Sequence, residues 1–236
     1  MMTVHLNVEG IETYIDQFHI LQGVSFEANK GEVTVLLGRN GAGKTTTLRS
    51  IMGLNPPSKG VIEFNGENIA GLATYHIASK GIGYVPEDQG IFGELTVEEN
   101  MKVAIKKEND ETKERLDYIL NLFPDLKKFW KRKGGNLSGG QKQMLSIARA
   151  YVNNNDLLLI DEPSKGLAPI VVEKVMESIQ EMKSKTSIVL VEQNFFMAST
   201  IGDRFFIIDD GRTVHRGEMK ELKENEQLRK QYLGIA

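Results

Sequence analysis

The chain has 236 residues, a formal net charge of -3 and no cysteine. That length suits one large α/β domain or a core with a modest insertion. The mild negative charge excludes a general electrostatic grip on nucleic acid or anionic lipid, and the missing thiols exclude disulfides, cysteine nucleophiles and cysteine metal sites, as in a reducing compartment.

In chain order, the opening MMTVHLNVEG lacks a basic start ahead of an apolar run, so no secretory leader is expected. Short β-like stretches follow: ILQGVSFE, then Asn29-Lys30-Gly31, then EVTVLLG, and later GVIEF running into Asn65-Gly66, a pattern of antiparallel hairpins. Residues 38–46, GRNGAGKTT, come directly after the apolar VTVLL and ahead of Leu48, Ile51 and Met52 at helical spacing. From about residue 93 to 155 the texture turns charged and helix-favouring, which predicts an inserted helical subdomain between core parts 1–92 and 156–236 of a single domain. Inside it, Ser138 and Gln141 stand at capping-box spacing before Met144, Leu145, Ala148 and Val152. DLLLID and SIVLVE then read as buried parallel strands around a helix that Pro169 opens and that Val172, Val175, Met176, Ile179 and Met182 stripe. Such a βαβ unit binds ligands beyond the carboxyl ends of its strands, where Asp161, Glu162, Glu192 and Gln193 lie. RFFIIDDGRTV closes the core with an Asp-Gly turn. The longest apolar runs, such as Val33–Leu37, fall far short of the roughly 20 residues of a membrane helix, so a soluble chain is expected.

The strand, glycine-rich loop and helix around residues 38–46 are the setting of a phosphate-binding P-loop. Gly38, Gly41 and Gly43 let the backbone turn its N–H groups inward toward the positive end of the helix dipole. Lys44 is placed to reach the β- and γ-phosphates, the Thr45 hydroxyl to ligate Mg2+, and Thr46 to add a contact. This accounts for the adjacent carboxylates at the end of LLLIDE: Asp161 as a metal ligand, and Glu162, projecting to the other side by strand alternation, as the group that orients or deprotonates a water. The glycines after Ser138 offer a second helix start for phosphate oxygens.

Together these motifs resemble the ATP-binding subunits of ABC transporters, over essentially the whole chain. GRNGAGKT is similar to that family's Walker A, LSGGQ to its signature motif, and LLLIDEP to its Walker B followed by the catalytic glutamate. The resemblance implies an α/β P-loop cassette, with a RecA-like core, an antiparallel β subdomain and a helical insertion. ATP and Mg2+ would be the cofactors. Gly38, Arg39, Asn40, Gly41, Ala42, Gly43, Lys44, Thr45 and Thr46 would hold the nucleotide, with Thr45 and Asp161 on the metal and Glu162 as general base. It implies head-to-tail dimerisation, in which Ser138, Gly139, Gly140 and Gln141 serve the partner's ATP, and it puts Tyr14 where an aromatic stacks on adenine.

Three positions depart from the family pattern. Glu87 stands where a metal-reaching glutamine is usual, Gln193 where a histidine clamps the γ-phosphate, and Ala168 where the loop after Walker B ends in aspartate. With VPE, TVEEN, EPSKGLAP, VEQN and RKQYLG, they resemble the second ATP-binding subunit of branched-chain amino acid importers, with urea and short-chain amide importers close by. That branch implies a second ATP-binding subunit, two membrane-spanning permease subunits, an indirectly coupled solute-binding protein, and a peripheral place on the cytoplasmic face of the cell membrane. An export ATPase and a non-catalytic nucleotide-binding module are the alternatives; a chromosome-maintenance ATPase would need a long heptad-bearing insertion, and none is present. The basic run 126–135 reads as a solvated face of the helical subdomain, with no nucleic-acid partner, and His5, His19, His76 and His215 lack metal-ligand spacing.

Overall fold

A computed structural model describes residues 4–234. Alternating buried and open positions make two 12-residue strands, β1 (Val4–Ile15) and β2 (Phe18–Asn29), which pair antiparallel around a turn where Asp16 has a φ of 53°. With β4 (Lys59–Phe64) and β5 (Glu67–Asn68) they form one sheet in the order β2-β1-β4-β5. Asn65 and Gly66 both take left-handed φ, 53° and 77°, the twist a two-residue hairpin turn needs.

The second sheet runs β10-β9-β3-β8-β7-β6. Its strands are β3 (Val33–Leu37), β6 (Ile82–Val85), β7 (Leu157–Asp161), β8 (Ser187–Val191), β9 (Arg204–Asp209) and β10 (Arg212–Glu218), all parallel neighbours except the β9–β10 hairpin. The hairpin expected across Asn29-Lys30-Gly31 is corrected here: β2 pairs with β1, whereas β3 pairs in parallel with β8 and β9, so the turn carries the chain from one sheet to the other. The reason is burial. Every residue of β3 is buried, and a strand apolar on both faces belongs at the centre of a covered parallel sheet.

Period-two alternation divides the core between the two faces of this sheet. Leu158, Ile160, Ile188 and Leu190 face a cluster with α6 (Gly139–Tyr151) and α7 (Pro169–Met182), while Leu157, Leu159, Val189 and Val191 face α1 (Lys44–Ile51) and the antiparallel sheet. Each such fully buried aliphatic side chain contributes about 1.5–3 kcal/mol. The predicted stripe on α7 is buried throughout.

The main remaining helices are α2 (Thr74–Ser79), α3 (Val97–Ala104), α4 (Asp110–Leu122), α5 (Pro124–Lys128), α8 (Phe195–Ile201) and α9 (Met219–Glu224), with short turns at Gly134–Asn136, Glu226–Leu228 and Arg229–Leu233. Helices α3 to α6 fill the stretch between β6 and β7, and α3 and α6 each open on a complete capping box, Thr96 with Glu99 and Ser138 with Gln141. In the basic run, Lys131 pairs with Glu98 and Lys133 with Glu94, while Leu126 is buried. No helix among the described residues is long and apolar enough to cross a membrane.

Candidate nucleotide-binding site

The chain leaves β3 through a loop in which two of the glycines are sterically required. Gly38 has a φ of 150°, and a Cβ there would lie 2.1 Å from the Ile208 carbonyl oxygen; at Gly43, with a φ of 104°, it would lie 2.7 Å from Leu21 Cδ2. Gly43 is also the N-cap of α1, and no side chain caps that end, so its first-turn N–H groups stay available to an anion.

Lys44, only 4% exposed, donates to the carbonyl oxygens of Gly38 (2.9 Å) and Arg39 (3.0 Å) and lies 3.9 Å from Glu162 Oε1. Burial lowers its pKa, and the Glu162 and Asp161 carboxylates oppose that shift. Thr45 Oγ1 donates to Asp161 Oδ1 at 3.1 Å, and the Tyr84 hydroxyl to Asp161 Oδ2 at 3.4 Å. Asp161 is fully buried, which pushes its pKa up to about 6 against the Thr45 hydrogen bond, with Glu162 and Glu87 adding to the rise.

Oxygens on adjacent corners of an octahedral Mg2+ lie about 3.0 Å apart, which the Thr45 and Asp161 pair matches. Among the described residues no group of three or more His, Cys, Asp or Glu is arranged to hold a metal. A cation held by this pair would need its other oxygens from water and from a phosphate ligand, the usual habit of Mg2+.

Glu162 corrects one expectation. Its divergence from Asp161 does not come from strand alternation, because β7 ends at Asp161 and Glu162 has a φ of 45°, in the left-handed region that costs a non-glycine residue energy. Its carboxylate is nonetheless well surrounded. Oε1 accepts from Gln193 Nε2, and Oε2 lies 3.8 Å from the Lys165 ammonium. Lys165 also ion-pairs with Glu87, on the loop after β6.

Lys44, Thr45, Glu87, Glu162, Lys165 and Gln193 line one cavity of about 360 Å³, which Asn40, Gly41, Gly43 and Thr46 of the loop also border. A second cavity, about 460 Å³, shares Thr45 and Glu87 with it and is lined further by Asp161, Arg49, Leu54 and Tyr84.

From the sequence, Glu192 has a place beyond a strand end but no role of its own. Glu192 is 1% exposed and accepts from the backbone N–H groups of Ser164 (3.0 Å), Gln193 (2.8 Å) and Asn194 (2.7 Å), so it locks the loops after β7 and β8 together. Burial raises its pKa, and those hydrogen bonds oppose the rise. The only signal in the sequence is its place at the end of an apolar strand.

Other expected residues are not at the cavity. Tyr14 stacks on His19, centroids 4.2 Å apart and planes 5° apart, and does not line the cavity, whereas Ile20 does. The Arg39 side chain turns to the Gln231 carbonyl oxygen at 3.2 Å while its own carbonyl oxygen accepts from Lys44, and Ala42 is buried in the core. Ser138 and Gln141 bond each other, Gln141 also reaches Asp125 at 3.3 Å, and Gln89 donates to the Gly139 carbonyl oxygen at 3.4 Å. None of Ser138, Gly139, Gly140 and Gln141 lines the cavity around Lys44. A Cβ at Gly140 would strike Val171 Cγ1 at 2.5 Å, so close packing of α6 on α7 is enough to require that glycine.

The family model described as ABC transporter matches residues 21–165, the span from β2 through the phosphate loop to Lys165. The chain belongs to that family. This cassette is 38% identical over 231 residues to the high-affinity branched-chain amino acid transport ATP-binding protein BraG of Pseudomonas aeruginosa, covering 97% of this chain and 99% of that protein. It is 39% identical over 222 residues to the probable branched-chain amino acid transport ATP-binding protein LivF of Archaeoglobus fulgidus, covering 93% and 94%. A crystal structure of a nucleotide-free ATP-binding cassette from an ABC transporter superposes with a TM-score of 0.85 at 25% identity, covering 99% of this chain and all of that one. The cassette is thus an ABC-type ATPase subunit with the P-loop fold.

Proposed function

We propose that this cassette is the ATP-hydrolysing subunit of an importer for branched-chain amino acids. The observation that carries the nucleotide chemistry is the convergence of Lys44, Thr45, Asp161 and Glu162 at one glycine-lined loop; near-full-length similarity to BraG and LivF supports the solute class.

The loop N–H groups and Lys44 bind the phosphates. Thr45 and Asp161 would hold Mg2+, which when bound neutralises charge on the β- and γ-oxygens. Glu162 takes the proton of the attacking water, and Gln193 holds the carboxylate in position through Oε1. Glu87 borders both cavities, on the loop that leads from β6 toward the helical insertion, about 93–155. Tyr14, which stacks on His19 and is otherwise about half exposed, would carry the adenine in this reading.

The partners in this reading are a second ATP-binding subunit, a different chain or a second copy, whose nucleotide Ser138, Gly139, Gly140 and Gln141 would cover. Two membrane-spanning permease subunits anchor the cassette at the cytoplasmic face, and a solute-binding protein delivers the cargo. Titrating the purified cassette with MgATP by calorimetry, and assaying hydrolysis beside Glu162→Gln, tests the ATPase; an absence of nucleotide binding would sink it. Binding of branched-chain amino acids, urea and short amides to the solute-binding protein of the same operon tests the cargo, and preference for an amide overturns it.

A further inference from the structure

The Lys165 ammonium is shared between carboxylates of two loops: it ion-pairs with Glu87 and lies 3.8 Å from Glu162 Oε2. Through its other oxygen Glu162 lies 3.9 Å from Lys44 and accepts from Gln193. One carboxylate thus stands between two ammonium groups and an amide, inside the cavity that the glycine loop borders. That is an arrangement for holding an anion, and the groups around it differ in mobility.

Lys44 is buried and tethered by two carbonyl oxygens. Lys165 is 60% exposed, with no backbone oxygen on its ammonium among the described residues, yet the loop beneath it is held: Glu192 takes the Ser164 N–H, and the Lys165 N–H donates to the Glu162 carbonyl at 3.2 Å. A mobile cationic head on an anchored stem exchanges partners readily, because an exposed ion pair is weak. A terminal phosphoryl group carries more charge than one carboxylate and offers three acceptor oxygens.

We propose that Lys165 is a second phosphate-reading cation of this site: it leaves Glu87 for the terminal phosphoryl oxygens of a bound nucleoside triphosphate, facing Lys44, and so lets the site tell triphosphate from diphosphate. The inference rests on the nucleotide-binding reading above. Glu87 is freed in the same exchange, so its loop is released only when a triphosphate is seated.

The test compares binding of a non-hydrolysable ATP analogue and of ADP, each with Mg2+ at about 0.1 M salt, to the parent cassette and to Lys165→Met, Lys165→Gln and Lys165→Arg. Lys165→Met and Lys165→Gln weaken the triphosphate about 5- to 10-fold and ADP less than about 2-fold, whereas Lys165→Arg stays within about 2-fold of the parent for both. A parent that binds both nucleotides, with neutral variants that weaken both equally or neither, overturns the proposal. A parent that binds no nucleotide overturns the nucleotide reading itself. Lys165 packs in no core, so the neutral variants should match the parent in thermal unfolding without nucleotide, which confirms that the binding change is local.

Discussion

The side-chain amide of Gln193 donates to Oε1 of Glu162, joining the loops that follow two adjacent parallel strands, β8 and β7. An amide at this place orients the carboxylate but supplies no positive charge. Replacing Gln193 with histidine is expected to raise single-site turnover in the assembled transporter several-fold, read by rapid-quench hydrolysis; an unchanged rate means the amide is no handicap.

Glu162→Gln keeps the shape of the group and its contact with Gln193 but removes the base. Turnover is expected to fall by about 10²- to 10⁴-fold while MgATP still binds, because general-base catalysis contributes on that order. Parallel hydrolysis and calorimetry separate the two effects, and equal loss of both would point to a binding role.

Asp161 yields a stability prediction with a definite sign. Its folded pKa is raised from 3.8 to about 6, so the nucleotide-free protein holds that proton more tightly than the unfolded chain does. Stability therefore falls as pH rises from about 4 to 6, and above that the buried charge is a constant cost on the order of 2–3 kcal/mol at most. Asp161→Asn removes it. The variant should melt several degrees higher at pH 7.5 without nucleotide, yet gain no stabilisation from MgATP; a lower melting temperature would show that the carboxylate's hydrogen bonds outweigh its burial.

Gly38→Ala and Gly41→Ala should differ sharply. At Gly38 the new methyl carbon meets the Ile208 carbonyl oxygen at 2.1 Å, whereas at Gly41 it meets nothing within 4 Å and only the φ of 81° is strained. Urea unfolding is expected to give about 1–2 kcal/mol of destabilisation at Gly41 and roughly 3 kcal/mol or more at Gly38. Similar losses at both would mean that the loop moves aside.

Ser138→Ala removes one half of the α6 capping box, at a cost of about 1 kcal/mol in stability. If Ser138 also covers a partner's nucleotide, hydrolysis by the assembled pair should drop while nucleotide binding by the isolated cassette does not. Wild-type hydrolysis in the assembled pair would confine the serine to its cap.

What the sequence determined by itself was local. Glycine spacing marked the phosphate loop, apolar runs marked β3, β7 and β8, the Ser138 and Gln141 spacing marked a cap, and Asn65-Gly66 and Asp210-Gly211 marked turns, because each signal is complete within a few residues. β1 carries no such mark, since its turn, at Asp16, has no glycine beside it. Tertiary structure alone decided the path of the chain after Asn29-Lys30-Gly31, the stacking of Tyr14 on His19, the anchoring by Glu192 and the meetings of Lys165 with Glu87 and Gln193 with Glu162. The last three follow from the strand order β3-β8-β7-β6, which sets distant loops side by side, whereas Tyr14 meets His19 across the β1–β2 hairpin. Periodicity tells which residues are buried, but the neighbour of a buried strand is chosen by how all the strands pack at once.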